Sequence, residues 1–173
     1  MEFIQDIKIP RDRIAVLIGK KGFVKRHLQS KLNVKIVVDS NIGLVTISGE
    51  DNINVYDAKN IIQAIARGFN PEIAMSLLNE ENCFESINLT DYAKKSKSKL
   101  LRIKSRVIGT KGRARRYIEQ LTRCNISVYG KTVSIIGAVE DANIARRGIE
   151  HLLRGSKHSN VYLWIEKQIR KDL

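Results

Sequence analysis

The chain is built twice over. VLIGKKGFVKRHLQSKLNVKIVV at 16–38 falls on RVIGTKGRARRYIEQLTRCNISV at 106–128, a constant 90 residues later. Within that stretch Ile18-Gly19-Lys20-Lys21-Gly22 meets Ile108-Gly109-Thr110-Lys111-Gly112, while Leu28, Ile36 and Val38 meet Ile118, Ile126 and Val128. After a loop two residues shorter in the second copy, LVTISG at 44–49 matches TVSIIG at 132–137. ARG at 66–68 then answers LRG at 153–155. A duplication of this kind constrains the fold strongly, because each copy is one supersecondary unit with its own hydrophobic pattern to bury.

Periodicity predicts the same elements in both copies. FIQDIKI at 3–9 alternates like a half-buried strand, and Pro10 breaks it ahead of a short helix, RDRIAVLIG. After the glycines, apolar residues at 24, 28 and 32 mark one face of a second helix. VKIVVDS and LVTISGE read as two strands joined across Asn41-Ile42-Gly43, which suits an antiparallel pair. A helix over 53–67 closes the unit, with Val55, Ala58, Ile62 and Ile65 on one side. The second copy gives a strand at 83–90, a helix within the basic stretch to 108, a helix at 112–123, strands at 125–129 and 131–137, and a helix at 140–154. The expected class is α+β: two domains of order β-α-α-β-β-α, each a three-stranded antiparallel sheet covered on one face by three helices. Their expected bounds are 1–68 and 83–155, with a helical connector at 69–82 and an extra C-terminal helix at 156–173.

Length and composition agree. The 173 residues suffice for two small domains, and 43% of them are apolar, enough for two cores. Lys and Arg outnumber Asp and Glu 31 to 18, a net charge of +13, which biases the chain toward anionic partners, nucleic acid before membrane. The excess is uneven: residues 1–68 carry a net +4, residues 69–93 a net −5 with no Lys or Arg, and residues 94–173 a net +14. No apolar run approaches the roughly 18 residues of a membrane span. The N-terminus lacks the layout of a secretory signal, so a cytoplasmic protein is expected. Cys83 and Cys124 are too few for a disulfide framework or a zinc site and read as reduced thiols.

The repeated I-G-x-K-G turn carries the functional signal. One G-x-x-G could be only a helix C-cap followed by a new helix start. Its recurrence at the same place in the same order of elements favours a shared task. Glycine lets a backbone approach a ligand closely, and the unpaired N–H groups of a helix that starts there favour an anion. Lys20, Lys21 and Lys111 add full charges at the turn. Such a loop holds a sugar-phosphate backbone, and base choice must come from a groove beside it. Between Lys94 and Ile118 lie eleven Lys or Arg and no acid, and Arg113, Arg115 and Arg116 sit in the first turn of a helix, where positive charge opposes the macrodipole. A phosphate there would offset that cost; KKSKSK at 94–99 has a flexible, solubilising reading as well.

A G-x-x-G loop between two helices, followed by two strands and a helix, resembles the KH domain, and the strand-first order looks like type I. KIPRDRIAVLIGKKG, ARGFNPEIAMSLL and above all RVIGTKGRARRYIEQLT…ISVYGKTV are similar to the archaeal two-KH-domain proteins related to the eukaryotic partner-of-Nob (Dim-two) ribosome-assembly factors. The resemblance covers essentially the whole chain. It implies binding of single-stranded small-subunit (16S) ribosomal RNA near its 3′ end, beside the endonuclease that trims that end; a protein–protein adaptor with KH folds as scaffold and a general KH-type RNA-binding regulator are the alternative readings. Both clamps are intact here, whereas the first is degenerate in the eukaryotic relatives, so a role for both domains in RNA binding stays open. The RNA contacts expected on this reading are Gly19, Lys20, Lys21, Gly22, Lys25 and Arg26 in the first copy. In the second they are Arg106, Gly109, Thr110, Lys111, Gly112, Arg113, Arg115 and Arg116, with Ile18 and Ile108 facing bases.

Other residue types carry less. Paired carboxylates in a metal arrangement, a Cys–His pair and a nucleophile motif are all missing from the pattern, so no enzyme, catalytic residue, metal or cofactor is expected. His27, His151 and His158 show no ligand spacing. Tyr129 reads as packing ahead of groove lining, and Trp164 as an anchor for the last helix ahead of a base stacker. The acidic segment 69–93 is read as a connector with Ile73, Met75, Leu77 and Leu78 buried, or alternatively as a surface for a protein partner.

Overall fold

The computed structural model describes residues 1–171, and within it the chain forms two compact units that divide after Asn79. In the first, β1 (Phe3–Lys8) leads to α1 (Arg11–Ile18), a 3-10 turn at Lys20–Gly22 and α2 (Phe23–Leu32). Then come β2 (Lys35–Asp39), β3 (Leu44–Gly49), α3 (Asn52–Ala66), α4 (Pro71–Met75) and a 3-10 turn at Ser76–Leu78. The second unit follows the same course. It has β4 (Asn82–Asn88), a single helical turn α5 (Thr90–Ala93), α6 (Lys97–Ile108), a 3-10 turn at Thr110–Gly112 and α7 (Arg113–Thr122). It continues with β5 (Asn125–Tyr129), β6 (Thr132–Ala138), α8 (Val139–Leu153) and α9 (His158–Lys171). The last two positions of the expected C-terminal helix lie outside the described residues.

Each sheet is antiparallel with the third strand in the middle, in the order β1-β3-β2 and β4-β6-β5. Register follows the alternation read from sequence. Ile7 pairs with Val45 and Ile36 with Ile47 in the first sheet, Ile87 with Val133 and Ile126 with Ile135 in the second. All eight of these side chains are buried. The three long helices supply the other half of each core, with Leu17, Leu28, Ile61, Ile62 and Ile65 in the first and Val107, Ile118, Ile149 and Leu152 in the second.

Local chemistry explains the boundaries. The Asp51 carboxylate accepts from the Ile53 N–H at 2.8 Å to open α3, and the Ser96 hydroxyl accepts from the Lys99 N–H at 3.1 Å to open α6. Asn70 accepts from the Ile73 N–H at 2.8 Å, and Pro71 sits in the first turn of α4. Asn33 and Arg123, both left-handed, end α2 and α7. Within the segment read as a connector, 69–82, α4 and the 3-10 turn at Ser76–Leu78 pack along α3. Phe69 and Ala74 are the segment's buried side chains, while Ile73, Met75, Leu77 and Leu78 are half-buried.

One correspondence escapes a fixed 90-residue offset. The closing helices α3 and α8 start at Asn52 and Val139, 87 residues apart, and the helices after them start at Pro71 and His158 with the same separation. Both units therefore carry a trailing helix, short in the first and long in the second.

Candidate nucleic-acid interface

The two glycine turns have the same backbone to within 2° in every angle compared. Gly19 and Gly109 stand at φ 76°, ψ 173° and φ 75°, ψ 174°. Lys21 and Lys111 are left-handed at φ 54° and 55°, as are Gly22 and Gly112 at 77° and 75°. A lysine at positive φ is strained by about 1–2 kcal/mol, and such strain gathers where a backbone is shaped for a ligand. The turn closes through the Gly22 N–H to the Gly19 carbonyl and the Gly112 N–H to the Gly109 carbonyl, each at 3.1 Å.

The glycines in each pair serve different needs. A Cβ on Gly19 would lie 2.8 Å from the Val24 backbone nitrogen, and one on Gly109 would lie 2.7 Å from that of Ala114. The first glycine thus lets the turn pack against the helix it opens. A Cβ on Gly22 would meet only the Arg26 guanidinium, at 3.8 Å, and one on Gly112 only that of Arg116, at 3.2 Å. The second glycine keeps an open face of backbone. No side chain caps α2 or α7, so each helix start presents N–H donors and the positive end of its dipole to that face.

The side chains singled out from sequence fall into three groups. Lys20, Lys21, Arg26, Thr110, Lys111 and Arg113 are exposed around the two turns, Lys25 is half-exposed on the first turn of α2, and Ile18 and Ile108, the residues just before the clamps, are half-buried. Arg116 is exposed but folds back, its Nη2 donating to the Lys111 carbonyl at 2.7 Å and bracing the second turn. Arg115 and Arg106 are occupied within the fold. Arg115 pairs with Glu119 at 2.8 Å, and the other Glu119 oxygen accepts from the Ile126 N–H at 2.9 Å, tying α7 to β5. In the first unit neutral Gln29 makes that tie to the Ile36 N–H, at 2.9 Å. Arg106 donates Nε to the Leu152 carbonyl at 3.3 Å and Nη2 to the Ser156 carbonyl, capping the end of α8. Arg13 does the same for α3, through Ile65 and Phe69 at 2.8 Å each.

Of the eleven cations between Lys94 and Ile118, Arg115 alone has a carboxylate partner among the described residues. The other ten are left without a neutralising carboxylate. The trailing helix α9 is held by aromatic contacts, with Trp164 5.0 Å from the His151 ring and 4.9 Å from the Arg147 guanidinium, and Tyr162 edge-on to Tyr117 at 4.6 Å. Burial first, and then the neighbouring Tyr117, raise the Tyr162 hydroxyl above its ordinary pKa. Burial also pushes the Cys124 thiol up to about 11, which makes it a core residue and no nucleophile. Among the described residues no group of three or more His, Cys, Asp and Glu could hold a metal, and no helix is long and apolar enough to cross a membrane.

Residues 83–170 match the family model described as a eukaryotic-type KH domain, type I, and residues 4–64 match the KH domain model. A KH domain-containing protein of Methanocaldococcus jannaschii is 47% identical over 97% of this chain and 75% of its own length. The RNA-binding protein PNO1 of Oryzias latipes is 29% identical over 79% of this chain, and the match spans 56% of that longer protein. Among solved structures, the a/eIF2α–aDim2p–rRNA complex of Pyrococcus horikoshii contains a chain 46% identical to this one, with a TM-score of 0.91 over 99% of this chain and 96% of that one. With two αβ units that each carry the same G-x-x-G turn, and with these relatives, the chain belongs to the type I KH-domain family, in the two-domain group of archaeal Dim2p and eukaryotic PNO1.

Proposed function

We propose that this chain binds single-stranded 16S ribosomal RNA near its 3′ end during small-subunit biogenesis, as a cytoplasmic binding protein without catalytic activity. The observation that carries this reading is the pair of matched glycine turns. Each opens an uncapped helix, and the second is bordered by cations that the fold leaves unneutralised. The ribosomal target draws support from the relatives, one crystallised with rRNA and another named an RNA-binding protein. An endonuclease that trims the rRNA 3′ end is the protein partner this role calls for.

In each unit the strand's phosphates lie against the open face of Gly22 or Gly112, and bases enter the side of the turn that faces β2 or β5, past Ile18 or Ile108. Lys20, Lys21, Lys25 and Arg26 serve the first clamp, and Thr110, Lys111, Arg113 and Arg116 the second, where the charge is densest. Lys111→Ala with Arg113→Ala tests the assignment by fluorescence anisotropy on labelled 3′-terminal rRNA across a salt series. The double variant should weaken binding across many sequences and flatten the log–log salt dependence by about 1.4, or about 0.7 for each lost phosphate contact on a single strand. Unchanged affinity and slope would refute the site. Incubation of the protein with labelled RNA and Mg²⁺ should leave the RNA whole, and reproducible cleavage would refute the binding-only role.

A further inference from the structure

Each glycine turn has a second side. Gln29 and Glu119 tie one flank of α2 and of α7 to the neighbouring strand. His27 and Tyr117 stand two residues earlier and so lie on roughly the opposite flank, since successive side chains turn by about 100°. On that far flank of the second unit lies a hollow of about 560 Å³, bordered by Arg102 of α6, Thr110 of the clamp, Arg113 of α7 and Tyr162 of α9. An adjoining hollow of about 450 Å³ shares Arg113 and Tyr162. No acidic side chain lines either one.

The first unit has a hollow at the same place, of about 540 Å³, with other chemistry: Phe23, Val24, Met75 and Glu72 line it, and no Lys or Arg does. Position for position, Arg113 stands where the first unit has Phe23, Arg102 where it has Asp12, and Tyr162 where it has Met75. The duplication has kept the place and changed its charge.

We infer that in the second unit the RNA strand continues past the clamp into this hollow, where Arg102 and Arg113 hold a phosphate and the ring of Tyr162 supports a base. The inference rests on the clamp reading above and extends it by a nucleotide subsite that α9 completes. The wall is preformed. Tyr162 is half-buried and fixed against Tyr117, and the start of α9 is held by His158 Nε2, 2.8 Å from the Arg106 carbonyl oxygen. Arg102 is exposed and has no hydrogen bond or ion pair among the described residues, so its charge is available. Cation and aromatic side by side form the usual support for unpaired nucleotides, and the volume lies within the range of small-ligand pockets, about 300–1,000 Å³.

Strand length separates this subsite from the clamp. Anisotropy titrations of the full chain against labelled RNA of about four nucleotides, the span of one clamp, and about eight would compare wild type with Arg102→Glu and Tyr162→Leu, melting curves confirming the fold. The expected result is a loss of about tenfold for Arg102→Glu and at least about fivefold for Tyr162→Leu on the longer RNA, with the shorter RNA changed by less than about twofold. Equal losses at both lengths, or none at either, would overturn the subsite. Wild-type protein that binds both lengths equally well would overturn it and leave the clamp standing; protein that binds neither would overturn both.

Discussion

Alanine at the two glycines of the second clamp should separate fold from function. Gly109 lies at φ 75°, ψ 174°, a region nearly closed to side chains, and its Cβ would come within 2.6 Å of the Ala114 Cβ and 2.7 Å of the Ala114 nitrogen. The backbone strain costs about 1–3 kcal/mol, and the overlap, with backbone that cannot swing aside, about 1–3 kcal/mol more. Gly112→Ala meets only the flexible end of Arg116, at 3.2 Å, so it carries little beyond the left-handed penalty of about 1–2 kcal/mol. For a unit of this size 1 kcal/mol moves the melting temperature by about 4–8 °C. Gly109→Ala, at about 2–6 kcal/mol, should therefore melt at least about 8 °C below wild type, and Gly112→Ala, at about 1–2 kcal/mol, about 4–16 °C below, with the larger loss at Gly109. Under conditions where both are folded, Gly112→Ala should still bind RNA poorly, because its methyl group stands on the face proposed for the phosphates. Equal melting losses, or a Gly112→Ala protein with wild-type RNA affinity, would refute the division of labour between the two glycines.

Three further expectations follow from the site's supports. Arg106→Ala should cost about 1–2 kcal/mol through loss of the α8 cap, read as a lower urea midpoint, while affinity for a four-nucleotide RNA stays at the wild-type level. Glu119→Gln should be tolerated within about 0.5 kcal/mol, because Gln29 does the same work in the first unit, whereas Glu119→Ala should cost about 1 kcal/mol by leaving the Ile126 N–H unpaired. Cys124 has a folded pKa raised to about 11 from the ordinary 9.0, so its contribution is fully present below pH 9 and is lost as the pH rises from 9 toward 11. Between pH 8 and 10.5 the urea midpoint of wild type should fall further than that of Cys124→Ala, and parallel declines would refute the linkage.

The fold was legible because it is written in periodicity and written twice. Every strand and helix that builds the two sheets and their covers follows from apolar spacing and from Pro, Asp, Ser and Gly at the element ends. The trailing helices were not legible as a pair. The copies run 90 residues apart through the clamp but 87 apart at the closing helices, so a fixed offset hides the match of Pro71 with His158. The first of these helices also stops after five residues.

The site was legible as a place and only partly as a set of side chains. A run of eleven cations without an acid gives no sign of which ones the fold itself uses. Arg13 and Arg106 perform the same capping task from positions 93 residues apart, so in the 90-residue alignment Arg106 falls opposite Val16 and looks like surplus charge. Arg115 is engaged by Glu119 four residues on, a pair that the sequence allows but cannot require. The fold thus engages Arg106 and Arg115 in its own hydrogen bonds and leaves exposed Arg102, which the sequence did not single out from its run of cations. An arginine that spends both its Nε and an Nη on helix-end carbonyls, as Arg106 does, has already exchanged its hydration for protein partners and has little left to offer a phosphate. One that stands exposed beside a left-handed glycine turn has yet to make that exchange, and RNA is the ligand whose charge repays it.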